Sequence, residues 1–346
     1  VARSAAGMRT MIDNLYLNND YLDMGAVIAA PYPFIILVSA RGGGKTYGVL
    51  KECALKDIRY MYFRRTQRIL EIVTDPALHP YKKINEDNKM DIQPEYSKGI
   101  GRFYDRQHDN KLLGYAAALS TFANVRGFDG SDIDLIIYDE FIPQDDERIT
   151  FNTFTALLNA IETIGRNREI EGKPPVKVLL LSNSDVIYGD IVAGFNIGDD
   201  LMDMQESGQE QREKSSDMLL IMPAGESFKE KKKETALYRV TKGTRFSEVA
   251  LENKFNIHDR KMIRTRPLKE YRPVATLYGI CIYRHKAGGG YYISEKIEGA
   301  PERYEANETE RRRFLRAHPE IWRAYQKKRI SFENLRVQTI YKKLFE

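Results

Sequence analysis

Only two cysteines, Cys53 and Cys281, occur in 346 residues. They offer neither a metal-ligand spacing nor a disulfide framework, which excludes a zinc module or a disulfide-stapled domain and fits a reducing cytoplasm. No apolar run approaches the roughly 20 residues of a membrane-spanning helix. No secretory signal pattern is present either, so no membrane partner is expected. Repeats and low-complexity tracts are missing. So is any Asn-Lys-x-Asp motif, which argues against a small GTPase.

What the chain has is charge, unevenly placed. The 54 Lys and Arg against 49 Asp and Glu leave a net +5. Residues 1–220 hold 25 basic and 33 acidic residues, whereas residues 221–346 hold 29 and 16, so the halves carry −8 and +13. An acidic front and a basic back suggest different tasks, the back facing a polyanion such as nucleic acid. Hydrophobic residues at 42% suffice for a sizeable core, and the length suggests two domains or one large domain with an appendage.

The most informative stretch is Ser39-Ala40-Arg41-Gly42-Gly43-Gly44-Lys45-Thr46. Before it, Phe34-Ile35-Ile36-Leu37-Val38 reads as a buried strand. After it, Tyr47–Lys56 reads as a helix. A glycine-rich turn between strand and helix lets backbone N–H groups approach phosphate oxygens, and the helix N-terminus adds positive potential. Lys45 then reaches the β- and γ-phosphates of ATP, and the Thr46 hydroxyl ligates Mg2+. Ser39 stands where the usual pattern has its first glycine.

A second motif, Asp134-Leu135-Ile136-Ile137-Tyr138-Asp139-Glu140, is a buried strand ending in two acids. That is a Walker B pattern. Asp139 is expected to hold magnesium through water, and Glu140 to polarise the attacking water. The second acid points to the additional-strand catalytic-glutamate (ASCE) class of ATPases.

Other segments are read more coarsely. Residues 8–30 suit a helix covering the nucleotide site. Arg59–Phe63 reads as a strand whose Arg64-Arg65 end faces either the active-site edge or a neighbouring subunit. Residues 66–131 look inserted, with a hairpin formed by Gly101–Tyr104 and Leu112–Leu119 and a loop at 124–130. A loop at Ile142–Arg148 precedes an amphipathic helix, Phe151–Ile164, which ends at Gly165-Arg166-Asn167-Arg168-Glu169. Val176–Leu181 reads as a strand capped by Ser182-Asn183, a place for a γ-phosphate sensor or an ordinary turn. Met218–Met222 is expected as the last strand of the first domain. Val274–Tyr283 and Tyr291–Ser294 are expected to form a hairpin around Gly288-Gly289-Gly290. Arg311–Phe345 reads as helical and basic.

Taken together, Val38–Tyr47, Tyr62-Phe63-Arg64-Arg65, Ile137–Ile142, Ala156-Leu157-Leu158-Asn159, Arg166-Asn167-Arg168-Glu169 and Leu181-Ser182-Asn183 resemble the DNA packaging ATPases, or encapsidation proteins, of small phi-29-like podophages. The resemblance covers roughly residues 34–184 and is thinner beyond.

It implies a P-loop ASCE ATPase domain with a mainly parallel sheet. A linker and a small C-terminal α+β domain of degenerate ribonuclease-H-like fold would follow, with boundaries at 1–225, 226–255 and 256–346. It also implies a homo-oligomeric ring, pentameric in the family. Such a ring docks on the portal vertex of the prohead with a packaging RNA, in the host cytoplasm, and drives double-stranded DNA inward. An arginine of the Arg-Asn-Arg-Glu segment, Arg166 with Arg168 as the alternative, would enter the neighbouring subunit's site. Asn183 would complete the catalytic set with Glu140. Gln67 stands where the family has a basic residue, and Arg68 is the candidate to replace it.

Two competing readings need other features. A large terminase with a working nuclease requires strand-borne carboxylates after residue 250, and Val274–Tyr283 has none. A non-translocating nucleic-acid-binding protein with a relic ATP site would not need Glu140.

Overall fold

Strand β1, Phe34–Ser39, lies inside a nine-stranded sheet and sets the frame for the rest. Ile35, Ile36, Leu37 and Val38 are all fully buried. Both faces of the strand are therefore covered, which is why its sequence does not alternate. The computed structural model describes residues 11–125, 128–143, 151–183, 189–244, 247, 262–299 and 302–344. The chain divides into two units, Val1–Val186 with Asp200–Lys254, and Ile187–Asp199 with Phe255–Glu346.

In the first unit the strands are β2 (Tyr60–Arg64), β3 (Ile92–Ser97), β4 (Ile100–Asp105), β5 (Lys111–Ala118), β6 (Leu135–Asp139), β7 (Lys177–Asn183), β8 (Gln211–Ser215) and β9 (Met218–Ile221). Their order is β3-β4-β5-β2-β6-β7-β1-β9-β8. The run from β5 to β9 is parallel throughout, and β4 and β8 pair antiparallel with their neighbours. Strand β7 is inserted between β1 and β6, the feature that defines the additional-strand class. The inserted region extends the main sheet: the expected hairpin is β4–β5, and β5 continues alongside β2. It also contributes β3 and the helices Gln67–Val73 and Tyr81–Asn88, which the sequence reading left out.

The helix Lys45–Leu55 follows β1 and buries Lys45, Val49, Leu50 and Cys53 against the sheet. The expected amphipathic helix runs from Thr153 to Gly165 and buries Thr153, Leu157, Ala160 and Ile164. Those positions recur at helical spacing. Asn152 caps its start by accepting from the Thr155 N–H at 2.9 Å. The N-terminal segment departs from expectation. Only Met24–Ala29 is helical, and before it Tyr16 and Leu22 form an antiparallel bridge. The described part of the connector forms the helices Glu226–Lys233 and Ala236–Val240. Its remainder at 245–246 and 248–255 lies outside the described residues, as do Arg126-Gly127 and 144–148 of the two expected loops.

In the second unit five strands, β10 (Tyr271–Leu277), β11 (Ile280–His285), β12 (Tyr291–Ser294), β13 (Glu302–Tyr304) and β14 (Ile330–Phe332), lie in the order β13-β10-β11-β12-β14. Two expectations are corrected here. Val274–Tyr283 is not one strand, because Tyr278 and Gly279 both take positive φ (53° and 78°) and fold β10 back on β11. The C-terminal region is not continuously helical. Pro319 opens a new helix, Pro319–Gln326, directly after Glu308–Ala317, and β14 then intervenes before Leu335–Lys343. Phe345 lies outside the described residues. The helices bury Phe314, Ile321, Val337 and Tyr341 against Ile282, Ile293 and Phe332.

Candidate nucleotide-binding site

The C-terminal ends of β1, β7 and β6 lie side by side, and each delivers a candidate residue to the same edge. This is where ligands bind in open α/β sheets. From β1 the chain enters the turn Ala40–Gly44. Gly42 and Gly44 hold φ of +86° and +83°, a left-handed conformation that suits glycine. A side chain at Gly44 would also stand 3.0 Å from the Tyr21 ring. Ser39 does not share this requirement: it continues β1 and pairs with Asn183, so the missing glycine costs no backbone strain.

Lys45 opens the following helix and is buried, 7% exposed. Its ammonium donates to Ser39 Oγ (2.9 Å), to the Ser39 and Ala40 carbonyls (3.3 and 3.1 Å) and to Asn183 Oδ1 (3.2 Å). An ammonium at the mouth of a glycine-rich turn is placed to form charge-assisted hydrogen bonds to anionic oxygens.

One residue further on, the Thr46 hydroxyl donates to Asp139 Oδ2 at 2.8 Å. The same oxygen accepts from the Tyr62 hydroxyl at 2.7 Å and from Arg64 at 3.3 Å. A hydroxyl and a buried carboxylate in contact form a hard-oxygen donor pair that suits Mg2+. Burial first, then the Asp139 charge, pushes the Tyr62 phenol far above its ordinary value, so it stays protonated and donates.

Glu140 adopts φ of 57°, uncommon for a residue with a long side chain. Two arginines fix it there. Arg64 reaches its carboxylate at 2.5 Å, and Arg65, 3% exposed, donates to its carbonyl oxygen. Burial pulls the Arg64 guanidinium down, but Tyr62, Asp139 and Glu140 outweigh it and hold the group above its ordinary value. The Arg64-Arg65 pair thus faces the site edge of its own chain.

Around these groups lies a cavity of about 590 Å³. Gly42–Thr46, Asp139, Glu140 and Asn183 line it, together with Tyr47, Lys83 and Asp87. Leu17, Asn19, Tyr21, Leu22 and Met24 also line it, so the N-terminal segment does border the cavity, through the loop before its helix and the first helical residue.

Arg166 is not brought to this edge. It ends the helix Thr153–Gly165 and is exposed, donating to the Thr163 and Phe128 carbonyls at 3.2 and 2.8 Å. Arg168 bonds the Ile133 carbonyl and meets Asp134 at 3.3 Å, at the start of β6 and at the opposite sheet edge from Asp139. Gln67 bonds the Tyr96 hydroxyl and accepts from Thr121 at 3.2 Å.

Sequence reasoning missed Tyr62 and assigned Arg64 no partner. The signal was present: residues 60, 62 and 64 share one face of a strand, and Arg64 closes that strand at the ligand edge.

Fold and site together define the class: an additional-strand α/β protein with a glycine-rich strand-to-helix turn and an acidic strand end beside it. Residues 14–298 match the podovirus DNA encapsidation protein (Gp16) family, and the chain belongs to it. The DNA packaging proteins of Bacillus phages phi29 and PZA are each 26% identical to it over 224 residues, 63% of this chain. That match spans 61% of the length of each relative. Among solved structures, the bacteriophage phi-29 viral genome packaging motor assembly contains a chain that superposes with a TM-score of 0.63 at 19% identity. The superposition covers 96% of this chain and 99% of that one, a likeness of fold.

Proposed function

We propose that this chain is an ATP-hydrolysing motor that translocates double-stranded DNA into a preformed phage prohead. The observation that carries the reading is the convergence of Lys45, Thr46, Asp139, Glu140 and Asn183 from three adjacent strand ends on one cavity. Membership of the encapsidation family supports the substrate.

In this reading Lys45 leaves its resting acceptors for the β- and γ-phosphate oxygens, and the turn's backbone N–H groups cradle the remainder. Thr46 and Asp139 hold Mg2+, which neutralises phosphate charge when bound. Glu140 accepts the proton of the attacking water. Asn183, already bonded to Lys45, reports the γ-phosphate.

Arg166 serves the neighbouring subunit of a ring, proposed as a pentamer at the portal vertex in the host cytoplasm. Its exposed position suits that task, and Ile170 four residues on is 86% exposed. The basic residues 221–346 face DNA or a packaging RNA through phosphate contacts, which carry no sequence preference.

The test separates binding from chemistry. Lys45→Ala should lose ATP binding, while Glu140→Gln should bind ATP normally and hydrolyse it at least about 100-fold more slowly, the usual scale for a general base. Equilibrium binding and phosphate release, with and without duplex DNA, measure both. Hydrolysis by Glu140→Gln at near the wild-type rate would remove the catalytic assignment.

A further inference from the structure

The connector helix Glu226–Lys233 carries Lys229, Lys231, Lys232 and Lys233, and three of them have carboxylate partners. Lys229 meets Glu226 at 2.8 Å, Lys233 meets Glu230 at 2.5 Å, and Lys231 pairs with Asp20. Lys232 differs. Its ammonium donates to the carbonyl oxygen of Arg41, inside the phosphate-binding turn. It also lies over the rings of Phe228 and Tyr238, 5.4 and 5.3 Å from their centroids.

The Arg41 carbonyl and the Gly42 N–H belong to one peptide unit, and no peptide bond among the described residues is cis. In a trans unit these groups point in opposite directions. Lys232 therefore holds the outer side of the peptide, while Gly42 borders the nucleotide cavity on the inner side. Donation to a carbonyl also polarises the amide and strengthens its N–H as a donor. A second contact runs in parallel: Phe228 packs on Tyr21 with centroids 5.5 Å apart, and Tyr21 lies against Gly44 and borders the same cavity. The Ser227 hydroxyl donates to Asp20 at 2.8 Å and so ties the helix start to the segment that carries Tyr21.

We propose that Lys232 is a positioning residue for the phosphate-binding turn, and that through it nucleotide binding and the seating of the basic connector helix depend on each other. The proposal rests on the nucleotide-site reading above. Linkage makes the dependence reciprocal: whatever the seated helix adds to nucleotide affinity, bound nucleotide adds to the seating of the helix.

The test uses the full chain with Mg-ADP as the probe. Lys232→Met keeps the aliphatic stem over the rings and removes the donor. It should weaken ADP binding by roughly three- to tenfold, the scale of a partly exposed charge-assisted hydrogen bond. In the wild type, ADP should slow amide exchange across residues 226–233. In Lys232→Met that slowing should vanish while exchange in β1 and β6 stays unchanged, and Lys232→Arg should restore it. Lys233→Met, which removes a neighbouring charge, should behave as wild type. Unchanged ADP affinity and unchanged nucleotide-dependent protection in Lys232→Met would overturn the proposal. An equal loss in Lys233→Met would overturn it too, since the effect would then be bulk charge. If the wild type binds ADP no better than Lys45→Ala does, the nucleotide-site reading fails first and this inference falls with it.

Discussion

Ser39 illustrates how a single side chain can replace a backbone requirement with a side-chain contact. Gly42 and Gly44 need left-handed backbone, whereas Ser39 is an ordinary strand residue paired with Asn183. Its hydroxyl accepts the Lys45 ammonium at 2.9 Å, so it stabilises the resting position of that lysine. Ser39→Ala should leave the fold intact and tighten ATP binding about two- to fivefold, the scale of one net hydrogen bond of about 0.5–1 kcal/mol lost from the unbound state alone. Titration of both proteins with ATP measures it, and weaker binding by Ser39→Ala would show that the hydroxyl serves the bound state instead. The glycine-rich turn between strand and helix was legible because its spacing is local. The Tyr62–Asp139 and Arg64–Glu140 contacts were not, since they join residues 77 and 76 positions apart, and only strand order brings those together.

At the scale of elements, the same contrast appears in what punctuates the chain. β1, β6 and β7 were readable as apolar runs because each is covered on both faces. The break at Tyr278-Gly279 was hidden inside an apolar run, with Leu277 and Ile280 facing each other across a two-residue loop. Such a loop with positive φ at both positions favours Asn-Gly. Tyr278→Asn is therefore expected to stabilise the second unit by about 0.5–1 kcal/mol. Gly279→Val should destabilise it by more than about 1 kcal/mol, because a β-branched residue is strained there. Urea unfolding of the two variants distinguishes these signs. The helical expectation for residues 311–345 failed for a related reason: Ile330–Phe332 is too short for any periodicity to announce a strand, and its pairing with β12 is what makes it one.

For the whole molecule, the distance between Arg166 and its own cavity has an assembly consequence. β6 places Asp139 at one sheet edge, and the Arg166–Arg168 turn lies at the other. If Arg166 acts on a neighbour, Arg166→Ala subunits should bind ATP normally but hydrolyse it about 10³-fold or more slowly, the range known for such fingers. Mixing them with Glu140→Gln subunits should restore turnover, because an Arg166→Ala subunit still holds Glu140 and can receive Arg166 from a Glu140→Gln neighbour. Mixtures that show only the summed residual rates, in assembled rings, would place Arg166 outside the reaction. The interior position of β1 also has a consequence for synthesis. Phe34 pairs with Met218 of β9, 184 positions later. At about 5–20 residues per second, the ribosome needs about 10–40 s to supply that partner. Throughout that interval one edge of the six-residue strand β1 stands open on the nascent chain, so the apolar segment that leads into the glycine-rich turn needs shelter during translation.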